Sequence, residues 1–272
     1  MTLKRHPLNT SFDWHDALPP FRRISREQAD SWNNNGYFLL ENAFSPDTLA
    51  AVAAVIDPLE AKVNEYLRTL NDKRQYIARA DELTFALHAV KDSEVAKQFA
   101  LHSVFADLCL DLLGPDARLY WDQAVYKKAG CQEEFPWHQD NGYNFVEPQD
   151  YLTCWVPLTD ATVENGCPWV MPGVHRMGTL NHWKTELGWQ CLDGMEGAIP
   201  VEARAGDVVV FSSLTPHRTG PNHTAETRKS YILQYAHGDS VMLQDDGKLP
   251  VAQNDPQRQF PIVSNGQRMV SD

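Results

Sequence analysis

Val208-Val209-Val210-Phe211 is the strongest β run of the chain, and the short turn Ser212-Ser213-Leu214-Thr215-Pro216 carries it to His217. Eleven residues on, Arg228 opens another β run over residues 229–235. Both belong to a region, from residue 117 onward, where apolar residues change from helical to strand-like spacing. Residues 118–128, 151–158 and 169–171 read as further short strands. Gly and Pro punctuate them at Gly130, Pro136, Pro157, Gly166, Pro172-Gly173, Gly206, Pro216 and Gly220-Pro221. Many short strands separated in this way predict a sandwich or barrel, of which the jelly roll is one form.

Upstream the pattern is helical. Residues 1–24, mixed in polarity and rich in proline, predict an extended arm. Ser25-Arg26-Glu27-Gln28 is a capping box that opens a helix ending in Asn33-Asn34-Asn35-Gly36. Tyr37-Phe38-Leu39-Leu40 reads as a strand. Ser45-Pro46-Asp47 starts a second helix with proline at its first position and an acid in its first turn. Leu49, Val52, Ile56, Leu59, Val63, Tyr66 and Leu70 form its expected core-facing stripe, and Pro58 is expected to kink or divide it. Residues 71–92 read as a polar loop or lid. A helix from Ser103, with Val104, Leu108 and Leu112, closes at Gly114-Pro115. The expectation is one domain over residues 1–272, mainly β with N-terminal helices: a helical part over about 25–114 and a jelly-roll core over about 117–240.

Composition narrows the partners. A formal charge of −12 on 272 residues argues against broad nucleic-acid binding and against attachment to an anionic membrane. The five cysteines are odd in number and lack Cys-x-x-Cys spacing, which predicts free thiols in a reducing, cytoplasmic compartment. No apolar run is long enough to span a bilayer, and Met1 to Leu8 has no signal-peptide core.

Chemistry concentrates at Trp137-His138-Gln139-Asp140. Strand side chains alternate, so His138 and Asp140 share a face and form half of a metal site. A second histidine from a distant strand would complete two histidines and a carboxylate, the ligand set of non-haem Fe(II) oxygenases. His217 is the histidine the strand pattern offers; His175, in a turn after a strand, reads as a structural hydrogen-bonding group. Arg228 and Ser230 also share a face and could hold a carboxylate by a guanidinium fork and a hydroxyl.

In this ordered set, and in the strand of Trp155, Asn165-Gly166-Cys167-Pro168, Pro172-Gly173-Val174-His175-Arg176 and Gly206-Asp207, the chain resembles the phytanoyl-CoA dioxygenase-like family of Fe(II)- and 2-oxoglutarate-dependent oxygenases. The resemblance runs from about Gly36 to Tyr235. It implies a double-stranded β-helix, or jelly roll, in which His138, Asp140 and His217 ligate Fe(II). It further implies that Arg228, assisted by Ser230, pairs with the distal carboxylate of 2-oxoglutarate, with Trp155 and Gln123 beside the cosubstrate. The implied reaction consumes O2, releases succinate and CO2, and hydroxylates an unactivated C–H bond of a small molecule. Because Asp140 supplies the carboxylate ligand, oxygenation is expected and halogenation is not. Asn141, Tyr143 and Phe145, after the metal strand, and Lys127, inward if Gln123 is inward, are expected substrate contacts; Lys127 hints at an anionic substrate or at help with the cosubstrate. A cupin-like isomerase or hydrolase without redox chemistry, or a non-catalytic jelly-roll binding protein, are the rival readings.

Overall fold

The structure, a computed structural model, describes residues 3–244 and 248–269. Ser25 caps α1 (Arg26–Asn35) as its sequence predicts: its Oγ accepts from the Gln28 amide, and the Gln28 side chain accepts from the Ser25 amide. Gly36 ends the helix at φ 81°, the left-handed region that favours glycine. The space matters as much as the torsion, because a Cβ there would meet Thr215 and the His175 ring at 2.4–2.6 Å. The Gly36 carbonyl accepts from the Ser212 amide and the Thr215 hydroxyl, which ties the helix end to the turn that leads to His217.

After strand β1 (Tyr37–Leu40), α2 runs unbroken over Pro46–Thr69. The break expected at Pro58 does not occur. Pro58 and Ala54 are both exposed, so water can replace the amide that the Ala54 carbonyl loses. The predicted stripe is buried at Leu49, Val52 and Ile56 and continues half-buried against the core at Leu59 and Val63, but the deepest positions of the second half are Glu60, Asn64 and Leu67, and Tyr66 is exposed. The second half of α2 crosses a polar turn. There Glu60 accepts from the Thr84 hydroxyl and pairs with Lys128, and Asn64 exchanges two hydrogen bonds with Asp81. The stretch read as a loop over 71–92 contains strand β2 (Leu83–Leu87), followed by the short helices α3 (Ala89–Asp92) and α4 (Glu94–Ala100) and then α5 (Ser103–Leu112).

The remaining principal strands are β3 (Ala117–Lys127), β4 (Phe135–His138), β5 (Leu152–Pro157), β6 (Pro168–Val170), β7 (Val208–Ser212), β8 (His217–Thr219) and β9 (Arg228–His237). The larger sheet runs β1-β7-β5-β9-β3-β2, and the smaller one places β8 between β6 and β4, all pairs antiparallel. This is the predicted jelly roll. Alternation divides the large sheet cleanly. Cys154, Val156, Val208, Val210, Tyr231, Leu233 and Tyr235 pack under the helices with Trp32, Ile56 and Phe105. Val125, Trp155, Val209, Phe211 and Ile232 face the smaller sheet. Burying each such large apolar side chain contributes about 1.5–3 kcal/mol.

All five cysteines are free and buried. Asn9 of the N-terminal arm donates to the Met177 and Thr179 carbonyls, and Trp14 stacks edge-on with His175. His175 also lies 3.3 Å from the Asn33 carbonyl, the structural role expected of it. Among the described residues, no helix is long and apolar enough to cross a membrane.

Gly36→Ala tests how firmly the helix end is built into the turn before His217. Left-handed strain plus the close contacts predict a loss of about 2–4 kcal/mol and a fall in Tm of roughly 5–15 °C. Calorimetry showing an unchanged Tm would contradict the packing described.

Candidate metal centre

β4 and β8 lie side by side with His138 directly opposite His217. Their rings stand 4.1 Å apart, wedged by Phe135 against His138 and Phe211 against His217. The strand ends at His138, so Asp140 is in a turn (Asp140–Gly142) and not on a strand as expected. The shared face survives because Gln139 between them is extended (φ −105°, ψ 143°). Gln139 is itself fully buried and pinned. Its side chain donates to the carbonyls of Gly178 and Leu214 and accepts from the Leu180 amide, and its own amide donates to His182 Nε2.

Asp140 Oδ1 thereby reaches within 3.9 Å of His138 Nε2 and 3.7 Å of His217 Nε2, and the three ligand-capable atoms lie within 4.8 Å of one another. Each histidine turns Nδ1 to a backbone carbonyl, Pro136 at 2.8 Å and Thr215 at 3.0 Å. With Nδ1 donating, Nε2 carries the lone pair toward the shared point. Burial, and then the neighbouring His217, push the His138 pKa well down, which keeps its ring neutral. The second carboxylate oxygen of Asp140 accepts from the Thr153 hydroxyl at 2.5 Å, fixing the carboxylate plane. Two neutral imidazoles and an oriented carboxylate fit a divalent iron bound on one face.

An inner chamber leads from this cluster to Arg228. The guanidinium is 1% exposed and lies over the Trp155 ring at 5.3 Å. One terminal nitrogen donates to Ser230, while Nε and the other terminal nitrogen have no partner. Two orphaned donors on a buried cation suit a carboxylate of the ligand. Lys127 pairs with Arg228 across the strands and is also fully buried; its Nζ donates to the Gly220 carbonyl and to Thr219.

Beyond the cluster lies an outer chamber walled by aromatic residues, Tyr143 among them, with Gln123 lining both chambers. The structure therefore gathers His138, Asp140, His217, Arg228, Ser230, Trp155, Gln123 and Tyr143. It does not bring the other proposed substrate contacts to the cluster. Asn141 is buried and bonded to Val146 and Thr179, Phe145 packs against His6, and Lys127 sits at the Arg228 end. Sequence reasoning missed Thr153 and Phe85. Thr153 was within reach, since it precedes Trp155 by two and shares its face.

A jelly roll that holds two histidines and a carboxylate around one point, with a buried, half-paired arginine behind them, is built like a non-haem iron oxygenase that takes a 2-oxoacid. Residues 32–230 match the family described as phytanoyl-CoA dioxygenase, and the chain belongs to that family. It is 27% identical over 233 residues to a methylphosphonate hydroxylase of Gimesia maris, covering 79% of this chain and 83% of the relative. To an ectoine dioxygenase of Stutzerimonas stutzeri it is 25% identical over 261 residues, covering 84% and 85%. Among solved structures, the non-heme alpha ketoglutarate dependent carbocyclase SnoK from nogalamycin biosynthesis superposes with a TM-score of 0.71 at 20% identity, covering 88% of this chain and 96% of that one.

Removing the Asp140 support tests the metal site. Thr153→Val is expected to weaken Fe(II) affinity roughly 10–100-fold with the fold intact, and His217→Ala to abolish iron retention. Elemental analysis after gel filtration reads both. Wild-type iron content in His217→Ala would exclude it as a ligand.

Proposed function

We propose that this protein uses Fe(II), 2-oxoglutarate and O2 to hydroxylate an unactivated C–H bond of a small molecule, releasing succinate and CO2. One observation carries the reading: a single chamber has the His138–Asp140–His217 cluster at one end and, at the other, two nitrogens of buried Arg228 with no hydrogen-bond partner among the described residues. That is the polarity of a 2-oxoacid with a second carboxylate. The relatives named hydroxylase and dioxygenase support the same reading.

His138, Asp140 and His217 hold the iron, and Arg228 receives the distal carboxylate while Ser230 fixes the guanidinium plane. Bound together, iron, 2-oxoglutarate and O2 supply an oxidant strong enough to take hydrogen from a C–H bond. The chain's own part is to position and to exclude water. Phe85, Phe135, Phe211 and Ile232 wall the inner chamber, and Trp155 covers the guanidinium. Asp140 occupies the carboxylate position, which favours oxygen insertion over halogenation. A non-redox isomerase or hydrolase would have no use for an unpaired buried arginine. Lys127, away from the outer chamber and paired across the strands with Arg228, fits the cosubstrate role rather than the substrate role, and gives no support to an anionic substrate.

Turnover of any accepted substrate under ¹⁸O2 in high chloride tests the reaction type by mass spectrometry. The expected product carries one ¹⁸O hydroxyl; a chlorinated product would contradict the reading.

Arg228→Ala is expected to retain iron and to weaken 2-oxoglutarate binding by about 1.5–3 kcal/mol, roughly 10- to 150-fold. Arg228→Lys should recover part of this, since lysine offers a point charge without a fork. Unchanged affinity in Arg228→Ala would sink the assignment.

Binding should also depend on pH. Burial, then the Arg228 charge beside it, bring the Lys127 pKa down to about 7; Arg218 adds to this, while Cys131 and Glu134 oppose it. Only the protonated amine attracts a carboxylate, so above that pH cosubstrate binding must take up a proton. The 2-oxoglutarate Kd is expected to be flat on the acid side and to rise through pH 7, by at most about tenfold per unit. Calorimetry on Lys127→Met should show that rise lost.

A further inference from the structure

The outer chamber, on the far side of the metal cluster from Arg228, has a lining of aromatic and amide side chains. Tyr120, Trp121, Tyr143 and Tyr151 supply aromatic surface, and Gln123, Asn144 and Gln234 supply amides. No lysine, arginine or glutamate lines it, and its one charged side chain is the metal-cluster residue Asp140.

Two of these polar groups open onto the chamber: the residues are only 6% (Gln234) and 1% (Tyr151) exposed, both line it, and neither the amide nor the hydroxyl is engaged in a hydrogen bond among the described residues. Polar groups that a fold turns into a concave aromatic pocket and leaves unengaged are the ones a ligand can use. Their placement is also built in. Gln234 lies opposite Thr153, the residue that holds Asp140, and Tyr151 precedes Thr153 by two on the same side. The register of β9 on β3 shifts between Gln234 and Tyr235, leaving Tyr120 as an extra residue beside Trp121. Such a bulge re-aims side chains, and here both rings line the chamber.

Burial holds the Tyr151 and Tyr143 hydroxyls protonated, and that of Tyr120 is pushed up to about 12, so the tyrosines act as neutral groups. An ionic group entering this chamber would shed its water and meet no charged side chain in the lining other than Asp140, while Arg258, over the outer Trp121 ring, is already paired with Asp255. A glutamine amide both donates and accepts, and a phenol donates, which together match a carbonyl or carboxamide.

On the reading of the function given above, we propose that Gln234 and Tyr151 are specificity-determining residues that recognise an uncharged carbonyl or amide group of the substrate, with its apolar body against Trp121, Tyr120 and Tyr143. The pair sits beside the metal ligands, so this recognition places the neighbouring carbons of the substrate at the reacting face.

The test uses wild-type protein loaded with Fe(II) and 2-oxoglutarate under anaerobic conditions. Calorimetry compares three matched probes: cyclohexanecarboxamide, cyclohexanecarboxylate and cyclohexylmethylammonium. The carboxamide is expected to bind about tenfold or more tightly than either ion, from a net gain of one or two hydrogen bonds. Gln234→Leu and Tyr151→Phe, each checked for an unchanged melting temperature, should bring that preference to within about threefold. Equal or tighter binding of either ion, binding of none of the three, or a preference that survives in Gln234→Leu overturns the proposal. The loading step separates the two levels. If 2-oxoglutarate binds normally and the probes fail, only the substrate assignment falls; if 2-oxoglutarate does not bind wild type, the functional reading falls and takes this proposal with it.

Discussion

The site depends on one register: His138 of β4 opposite His217 of β8, with the chain held extended through Gln139 to Asp140. A slip of one residue would turn a histidine to the other face of its strand and leave the carboxylate facing one imidazole. The protein secures this register from both sides. Buried Gln139 exchanges hydrogen bonds with two separate segments, one at Gly178 and Leu180 and one at Leu214. On the other strand, the turn before His217 is tied to the end of α1 through the Gly36 carbonyl, a contact that tolerates only glycine. A helix near the N-terminus is thus part of the apparatus that places a ligand almost two hundred residues later.

Electrostatics follow from the same geometry. The sheets bury three groups that water would otherwise solvate: a carboxylate with two imidazoles, a guanidinium, and a primary amine. The carboxylate is compensated by Thr153, and the imidazoles by backbone carbonyls. The two cations have hydrogen bonds, Lys127 to Gly220 and Thr219 and Arg228 to Ser230, but no ion pair among the described residues. They lie on paired positions of β9 and β3, an arrangement that costs stability without an anion between them. Burial pulls both pKa values down, that of Arg228 to about 10. A dicarboxylate cosubstrate would supply the missing counter-charge.

Much of this was legible in the sequence because period and spacing are local properties. The shared face of His138 and Asp140, the pair Arg228 and Ser230, the capping box at Ser25 and the alternating strands all follow from two- and four-residue periods. What was not legible is depth and distance. Alternation points Lys127 inward but does not say how far along the barrel it lies, so substrate and cosubstrate roles stayed open. Asn141 and Phe145 follow the metal strand in sequence, yet the turn at Asp140 carries both away to bond and pack elsewhere. The stripe of α2 weakens to half-burial at Leu59 and Val63 and is lost at Tyr66, where the helix meets a polar turn, a tertiary fact. Gln234 and Tyr120 needed the bulge in β9 and β3, which nothing in their own stretches announces.

The central claim is that the His138–Asp140–His217 cluster holds iron and couples it to 2-oxoglutarate. The most direct measurement is succinate formed from 2-oxoglutarate when purified protein is given Fe(II) and air, compared with an Asp140→Ala protein of unchanged melting temperature. The account predicts iron- and oxygen-dependent succinate, matched by 2-oxoglutarate loss, from the wild-type protein alone. Equal succinate from both proteins, or none from the iron-loaded wild type across a broad panel of neutral carbonyl compounds, would contradict it.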